Sequence, residues 1–312
     1  MALASIIGKH ATASTREAWL FKFKQQATPY LFLVPSLLVL GSVLLYPLLY
    51  SFILSFHRMI VTRPDLGTKF IGLDNYIQLF SRSIFYTALR TTLIFTASAT
   101  AIELVAGFTL ALAFDKLTTG KDLLRSIILV PLMMAPVAVG IMWQVMLHDQ
   151  YGVINYLLGL IGLQQQYWFS TTMVMPTMTF LDAWQMTPFV ILVILAGLQG
   201  LPHELYEAGD IDGASRFQKL RFITLPMMKQ IIFVVLLIRA GDAFRIFDRI
   251  WITTEGGPGE ASTVMSILAY KQVAQYSNIG YGSAISWVIL IVILAISLLF
   301  IRLMRDKQGP TA

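Results

Sequence analysis

The sequence contains no cysteine among its 312 residues, which excludes disulfides, thiolate metal sites and cysteine nucleophiles. Charge is also scarce. Asp, Glu, Lys and Arg make up 13% of the chain, about half of the roughly 25% usual for soluble domains. A globule of this length facing water on all sides would lack polar groups to cover it. Histidine is limited to His10, His57, His148 and His203, scattered without ligand spacing, so no metal site is expected. There is no GxxxxGKS/T to cradle phosphates, no HExxH, no Ser/His/Asp set and no pair of carboxylates on a loop. The sequence also lacks internal repeats, low-complexity tracts and any sign of a second domain.

What remains is apolar. Hydrophobic residues reach 56% and the mean hydropathy is +0.70. Lipid is therefore the solvent for much of the chain, and an all-α membrane protein is expected. The net charge of +6 fits basic residues flanking apolar spans, so nucleic acid is not expected as a partner.

About 20 consecutive apolar residues cross a bilayer as a helix. Residues 29–56, 126–147 and 282–301 carry no charge, whereas 91–114 carry only Glu103 and 174–200 only Asp182. The stretch after Pro226 starts apolar at Ile231–Ile238 and then carries Arg239, Asp242, Arg245, Asp248 and Arg249. Six spans are expected, at about 29–56, 91–114, 126–147, 174–200, 227–254 and 282–304, forming one transmembrane domain over 29–304. Residues 1–28 do not read as a leader. The apolar stretch near Ala2–Ile7 is short, and Lys9, Arg16, Lys22 and Lys24 follow it. A cytoplasmic N-terminal tail over 1–28 and a cytoplasmic C-terminal tail over 305–312 are expected. With both termini inside, 14 of the 23 Lys and Arg fall in inner segments and 6 in outer ones, as the positive-inside rule asks. Pro35, Pro47, Pro131, Pro136 and Pro188 fall within spans, where each bends a helix or marks one that lines a pathway.

The inner loop 199–226 reads QGLPHELYEAGDIDGASRFQKLRFITLP. Pro202 suits a helix start. Glu204, Glu207, Asp210 and Asp212 come first and Arg216, Lys219 and Arg221 last, which suits the dipoles of two short helices. Leu205, Ala208 and Ile211 recur at helical spacing, so an apolar stripe faces the cytosol as a docking surface. Glu207, Ala208, Gly209, Asp212, Gly213 and the run Ile223, Thr224, Leu225, Pro226 resemble the EAA loop of bacterial ABC-importer permeases, with Gly209 where a second Ala is usual. Gly256, Gly257 and Pro258, within FDRIWITTEGGPGEAST, resemble the outer-end motif of carbohydrate-type permeases of the maltose-transporter class. The first span and FIGLDNY at 70–76 are also similar to that class, so the resemblance covers nearly the whole chain.

The resemblance implies the type I importer permease fold in the bacterial inner membrane. It also implies import of sugars or oligosaccharides delivered by a periplasmic or extracellular binding protein. The other expected partners are a second permease, a different chain of the MalG-like kind, and two ATPase subunits that bind ATP and Mg. The chain itself carries no cofactor and is not an enzyme. Glu207 would meet a basic residue of the ATPase, and Gly213 would allow a tight turn. Asp182, Gln185, Met186 and Phe189 share one face of the fourth span, and Arg239, Asp242, Ala243 and Ile246 one face of the fifth. By resemblance these faces line the sugar cavity, with Trp143, Gln144 and Trp184 ranking lower. A plainer reading pairs Arg239 with Asp242 and Arg245 with Asp248 at i,i+3, buries Glu103 against a partner helix, and gives Arg245, Asp248 and Arg249 a structural or gating role. Arg239 and the basic first outer loop also raise an acidic sugar as solute. The rival readings are an ion-gradient transporter using Glu103, Asp182 and Asp242, and a membrane-embedded enzyme.

Overall fold

A computed structural model describes residues 32–117 and 120–305. The expected tails, residues 29–31 at the start of the first span, and residues 118–119 lie outside the described residues. The chain divides into two units, one ending at Ile53 and one beginning at Leu54. The described part of the first unit is helical and apolar, belonging to span one, Phe32–Ser55, which contains a π-helical turn at Gly41–Leu45.

Among the described residues of the second unit, span two is Ser83–Asp115, span four Val174–Gln199 and span six Ile279–Arg305. Span two begins eight positions before its apolar core at 91, because Ser83–Arg90 continues the same helix. Its 33 residues reach about 50 Å at about 1.5 Å per residue, longer than the roughly 30 Å hydrocarbon layer.

The expected third span is not one rod. Leu123–Met133 and Pro136–Met146 meet at 94°. Met134 and Ala135 are extended, as the position before a proline prefers, and Pro136 then starts the second helix. In all, five described helices are long and apolar enough to cross a membrane, or six if this bent pair counts as one.

The fifth span is broken as well. Short helix Arg216–Lys219 runs through a π-helical turn, Leu220–Thr224, into Leu225–Phe244. Residues 245–247 leave the helix, and Asp248–Thr254 forms a separate piece. This last piece packs on Pro136–Met146, where Gly140 lies against Ile252 and Gln144 Nε2 donates to Thr253 O at 3.1 Å.

Span four is the hub, packed along span two. A Cβ on Gly107 would come within 2.6 Å of Val190 Cγ1, so the absent side chain lets the two backbones approach. Two apolar clusters flank the middle of these helices. One takes Phe95 and Ala99 of span two, Val174–Leu181 of span four, and Ala243, Ile246 and Ile250 of span five. The other takes Ala111 and Phe114, then Val190–Leu198, then Met228 and Val235. Between the two clusters each of the three helices buries a charged or amide side chain: Glu103 on span two, Asp182 and Gln185 on span four, and Arg239 on span five.

A third apolar cluster joins Phe85, Leu268, Tyr281 and Ile285. The short antiparallel pair His57–Arg58 and Lys69–Phe70 is fastened by Asn75, whose Nδ2 donates to Ser55 O at 2.8 Å and His57 O at 3.0 Å.

Candidate functional site

An unpaired charge in lipid is costly, so each ionisable group in the polar layer must find a partner. Arg239 supplies several. Its Nε donates to Glu103 Oε2 at 2.6 Å and its Nη2 to Glu103 Oε1 at 2.9 Å. The same Nη2 reaches Asp182 Oδ2 at 3.0 Å, and Nη1 reaches Asp242 Oδ2 at 2.5 Å. The other oxygen of Asp182 is held by Arg249 Nη1. Arg249 Nε donates to Gln185 Oε1 at 2.8 Å, and Gln185 Nε2 donates to Met134 O at 2.7 Å. That last bond satisfies a carbonyl at the break of the third span.

One network therefore ties spans two and four, both pieces of span five and the bent third element. Glu103, Asp182, Gln185, Arg239 and Arg249 are all buried. The sequence pairing of Arg239 with Asp242 is present, and Glu103 is indeed buried against another helix, the partner being Arg239. Arg245 does not pair with Asp248. It lies 3.9 Å from Asp242 and donates to Gly241 O at 3.2 Å. The helix stops between Arg245 and Asp248, so their i,i+3 register is lost.

The network borders a cavity of about 140 Å³. Of the sequence-selected residues, Asp182, Met186, Asp242 and Ile246 line it together. Gln185, Arg239 and Ala243 are buried, and Phe189 packs against the apolar cluster of Val190–Leu198. The remaining walls are Pro136, Arg245, Phe247, Asp248 and Arg249. Of these, Phe247 continues the face of Arg239 and Ala243 at i+8 and i+4, and Pro136 sits at a helix break. Pockets for drug-sized ligands span roughly 300–1,000 Å³, so this volume is a partial wall rather than a complete site. Trp143 packs edge-on against Trp184 at 5.5 Å, away from the cavity walls, while Gln144 is taken by Thr253.

The second segment selected from the sequence is the 199–226 loop. His203–Ile211 is a helix entered from Pro202, and Ser215 and Gln218 form a capping box that starts the next, Arg216–Lys219. Between them Gly213 turns the chain at φ +71. Lys219 Nζ to Asp210 Oδ1 at 2.5 Å, and the Tyr206 and Thr224 hydroxyls at 2.8 Å, fix the helix against the base of span five. Gly209 is buried against Ile223 and Lys219, whereas Glu207, Ala208, Asp212, Leu225 and Pro226 are exposed. Leu205 is 43% and Ile211 87% exposed, leaving the apolar stripe uncovered. Glu207 makes no ion pair among the described residues.

Gly256, Gly257 and Pro258 form a folded turn after span five. Gly256 O accepts from Thr263 Oγ1 at 2.9 Å, and Ser262 Oγ donates to Gly257 O at 2.6 Å. Gly256 has φ +90, and a Cβ there would fall 2.8 Å from Thr263 Oγ1, so the position requires glycine.

A helical membrane bundle with a buried ionic junction, a cavity and an exposed short helix between its fourth and fifth spans is an architecture suited to a transport permease. The chain belongs to the binding-protein-dependent transport system inner membrane components, whose family model matches residues 103–305. It is thus a multi-pass inner-membrane permease subunit and not itself an enzyme.

The chain is similar to the trehalose/maltose transport system permease protein MalF of Thermococcus litoralis, 33% identical over 92% of this chain and 97% of the relative. It is also similar to the arabinooligosaccharides transport system permease protein AraP of Bacillus subtilis, 33% identical over 96% and 95% of the two chains. The trehalose transport system permease protein SugA of Mycobacterium tuberculosis is 34% identical over 90% of each. In fold, a chain of a bacterial ABC transporter that imports the acidic polysaccharide alginate superposes with a TM-score of 0.81 at 24% identity, over 93% of this chain and 100% of that one.

Proposed function

We propose that the chain is one of two permeases of an ATP-driven importer of sugars or oligosaccharides. A binding protein delivers the solute from outside. The cavity beside Asp182, Met186, Asp242 and Ile246 forms one wall of the path, and the second permease completes it. The loop 199–226 lies in the cytoplasm, and its exposed helix docks on an ATPase subunit, which binds ATP and Mg. Closure of two ATPases then moves that helix and, through span five, the cavity wall. The turn at Gly256–Pro258 lies at the outer end.

One observation carries this reading: helix His203–Ile211 exposes Glu207, Leu205 and Ile211 while Lys219 and Thr224 hold its base rigidly to span five. A connecting loop would not need an uncovered apolar stripe braced in this way. The printed names of three relatives, for trehalose, maltose and arabinooligosaccharides, and the alginate transporter of matching fold support a carbohydrate solute. Of the three carboxylates an ion-coupled transporter would use, Glu103 and Asp182 are held by arginine in the interior, and Asp242, exposed at the cavity, also pairs with Arg239.

The test is co-purification with a second permease and an ATPase, followed by uptake into liposomes with binding protein. Uptake by the isolated chain without ATP would overturn the reading.

A further inference from the structure

The cavity mouth holds an aromatic group that the ionic network does not explain. Phe247 lies in the break of span five and lines the cavity beside Arg245 and Asp248. Trp251 lies nearly parallel to it, with ring centroids 5.9 Å apart and planes 9° apart. Tyr270 abuts both, 4.9 Å from Phe247 and 4.6 Å from Trp251. Unlike the core aromatics Phe95 and Phe244, which are fully buried, Phe247 and Trp251 are only partly buried and Tyr270 is 39% exposed. The adjoining polar groups retain free capacity, since the side chains of Asp242 and Arg245 are 52% and 65% exposed. Aromatic residues in a membrane belt face the lipid headgroups, but Phe247 faces a polar cavity.

An apolar ring face beside partly exposed carboxylate and guanidinium groups matches the two sides of a pyranose. Its C–H face stacks on an aromatic ring, and its equatorial hydroxyls take hydrogen bonds at the rim. We infer that Phe247, backed by Trp251 and Tyr270, is the platform on which one pyranose ring of the transported sugar stacks, with Asp242, Arg245 and Asp248 taking its hydroxyls. This inference rests on the sugar-import reading and deepens it.

The experiment compares Phe247→Leu with Phe247→Tyr in the complete importer in liposomes, with assembled complex matched by gel filtration. The probes are radiolabelled maltose, trehalose and a uronate trisaccharide. Leucine keeps apolar volume and removes the ring, while tyrosine keeps the ring. For whichever sugar the wild type moves, Phe247→Leu is expected to lower uptake about three- to tenfold and Phe247→Tyr to stay within about twofold. Leucine matching the wild type would overturn the platform and leave sugar import standing, as would tyrosine losing as much as leucine. A wild type that moves none of the probes would overturn the sugar reading and the platform with it.

Discussion

Arg239 grips Glu103 with two guanidinium nitrogens, at 2.6 and 2.9 Å, joining spans two and five across 136 positions of sequence. Such a fork-to-fork pair is the strongest geometry available to an arginine and a carboxylate. Inside lipid, neither charge could remain without the other.

Removing one partner should therefore cost far more than removing both. Arg239→Met is expected to destabilise the protein by roughly 3–5 kcal/mol, since it strands Glu103 and leaves Asp182 to Arg249 alone. The double replacement Arg239→Met with Glu103→Gln should recover part of that loss. Thermal unfolding of the single and double variants in detergent checks this; additive losses would count against the pairing.

Glu207→Lys should leave folding intact, because the side chain is exposed and unpaired among the described residues. Uptake should fall about tenfold or more as the reversed charge repels the basic groups expected on the ATPase. Normal ATP-driven uptake by this variant would remove the docking role.

The charge preference for solute should follow Arg245 rather than Arg239. Arg239 donates to three carboxylates and has little left for a ligand, whereas Arg245 is 65% exposed at the cavity. Arg245→Gln is expected to shift the ratio of uronate to neutral-sugar uptake about three- to tenfold toward the neutral sugar. An unchanged ratio would show that this arginine does not read solute charge.

Gly256→Val should destabilise the turn after span five by about 1–3 kcal/mol through its left-handed backbone, with further loss from collision with Thr263. A thermal midpoint equal to the wild type would contradict the turn as described.

Much of this was legible in the chain. Charge-free runs located the spans, because lipid tolerates few ionisable groups. The 199–226 motif located the exposed helix His203–Ile211, because caps, glycines and apolar spacing act locally. The two breaks were harder to read. Pro136 pointed to a bend but neither to 94° nor to Gln185 of a distant helix reaching the Met134 carbonyl. Phe247 continues the Arg239 face in periodic register, but the helix ends at Phe244, three residues before it, so its place at the cavity follows from the break.

By itself the sequence determined that this is a polytopic membrane protein, since composition and local spacing decide which segments enter lipid and which residues share a helix face; the permease reading came from the resemblance of the 199–226 motif. Only the tertiary structure decided which faces meet. It joined Arg239 to Glu103 and Asp182 rather than to Asp242 alone, and gave Arg249 to Asp182. A buried charge demands some partner, but helical periodicity carries no information about which distant helix supplies it.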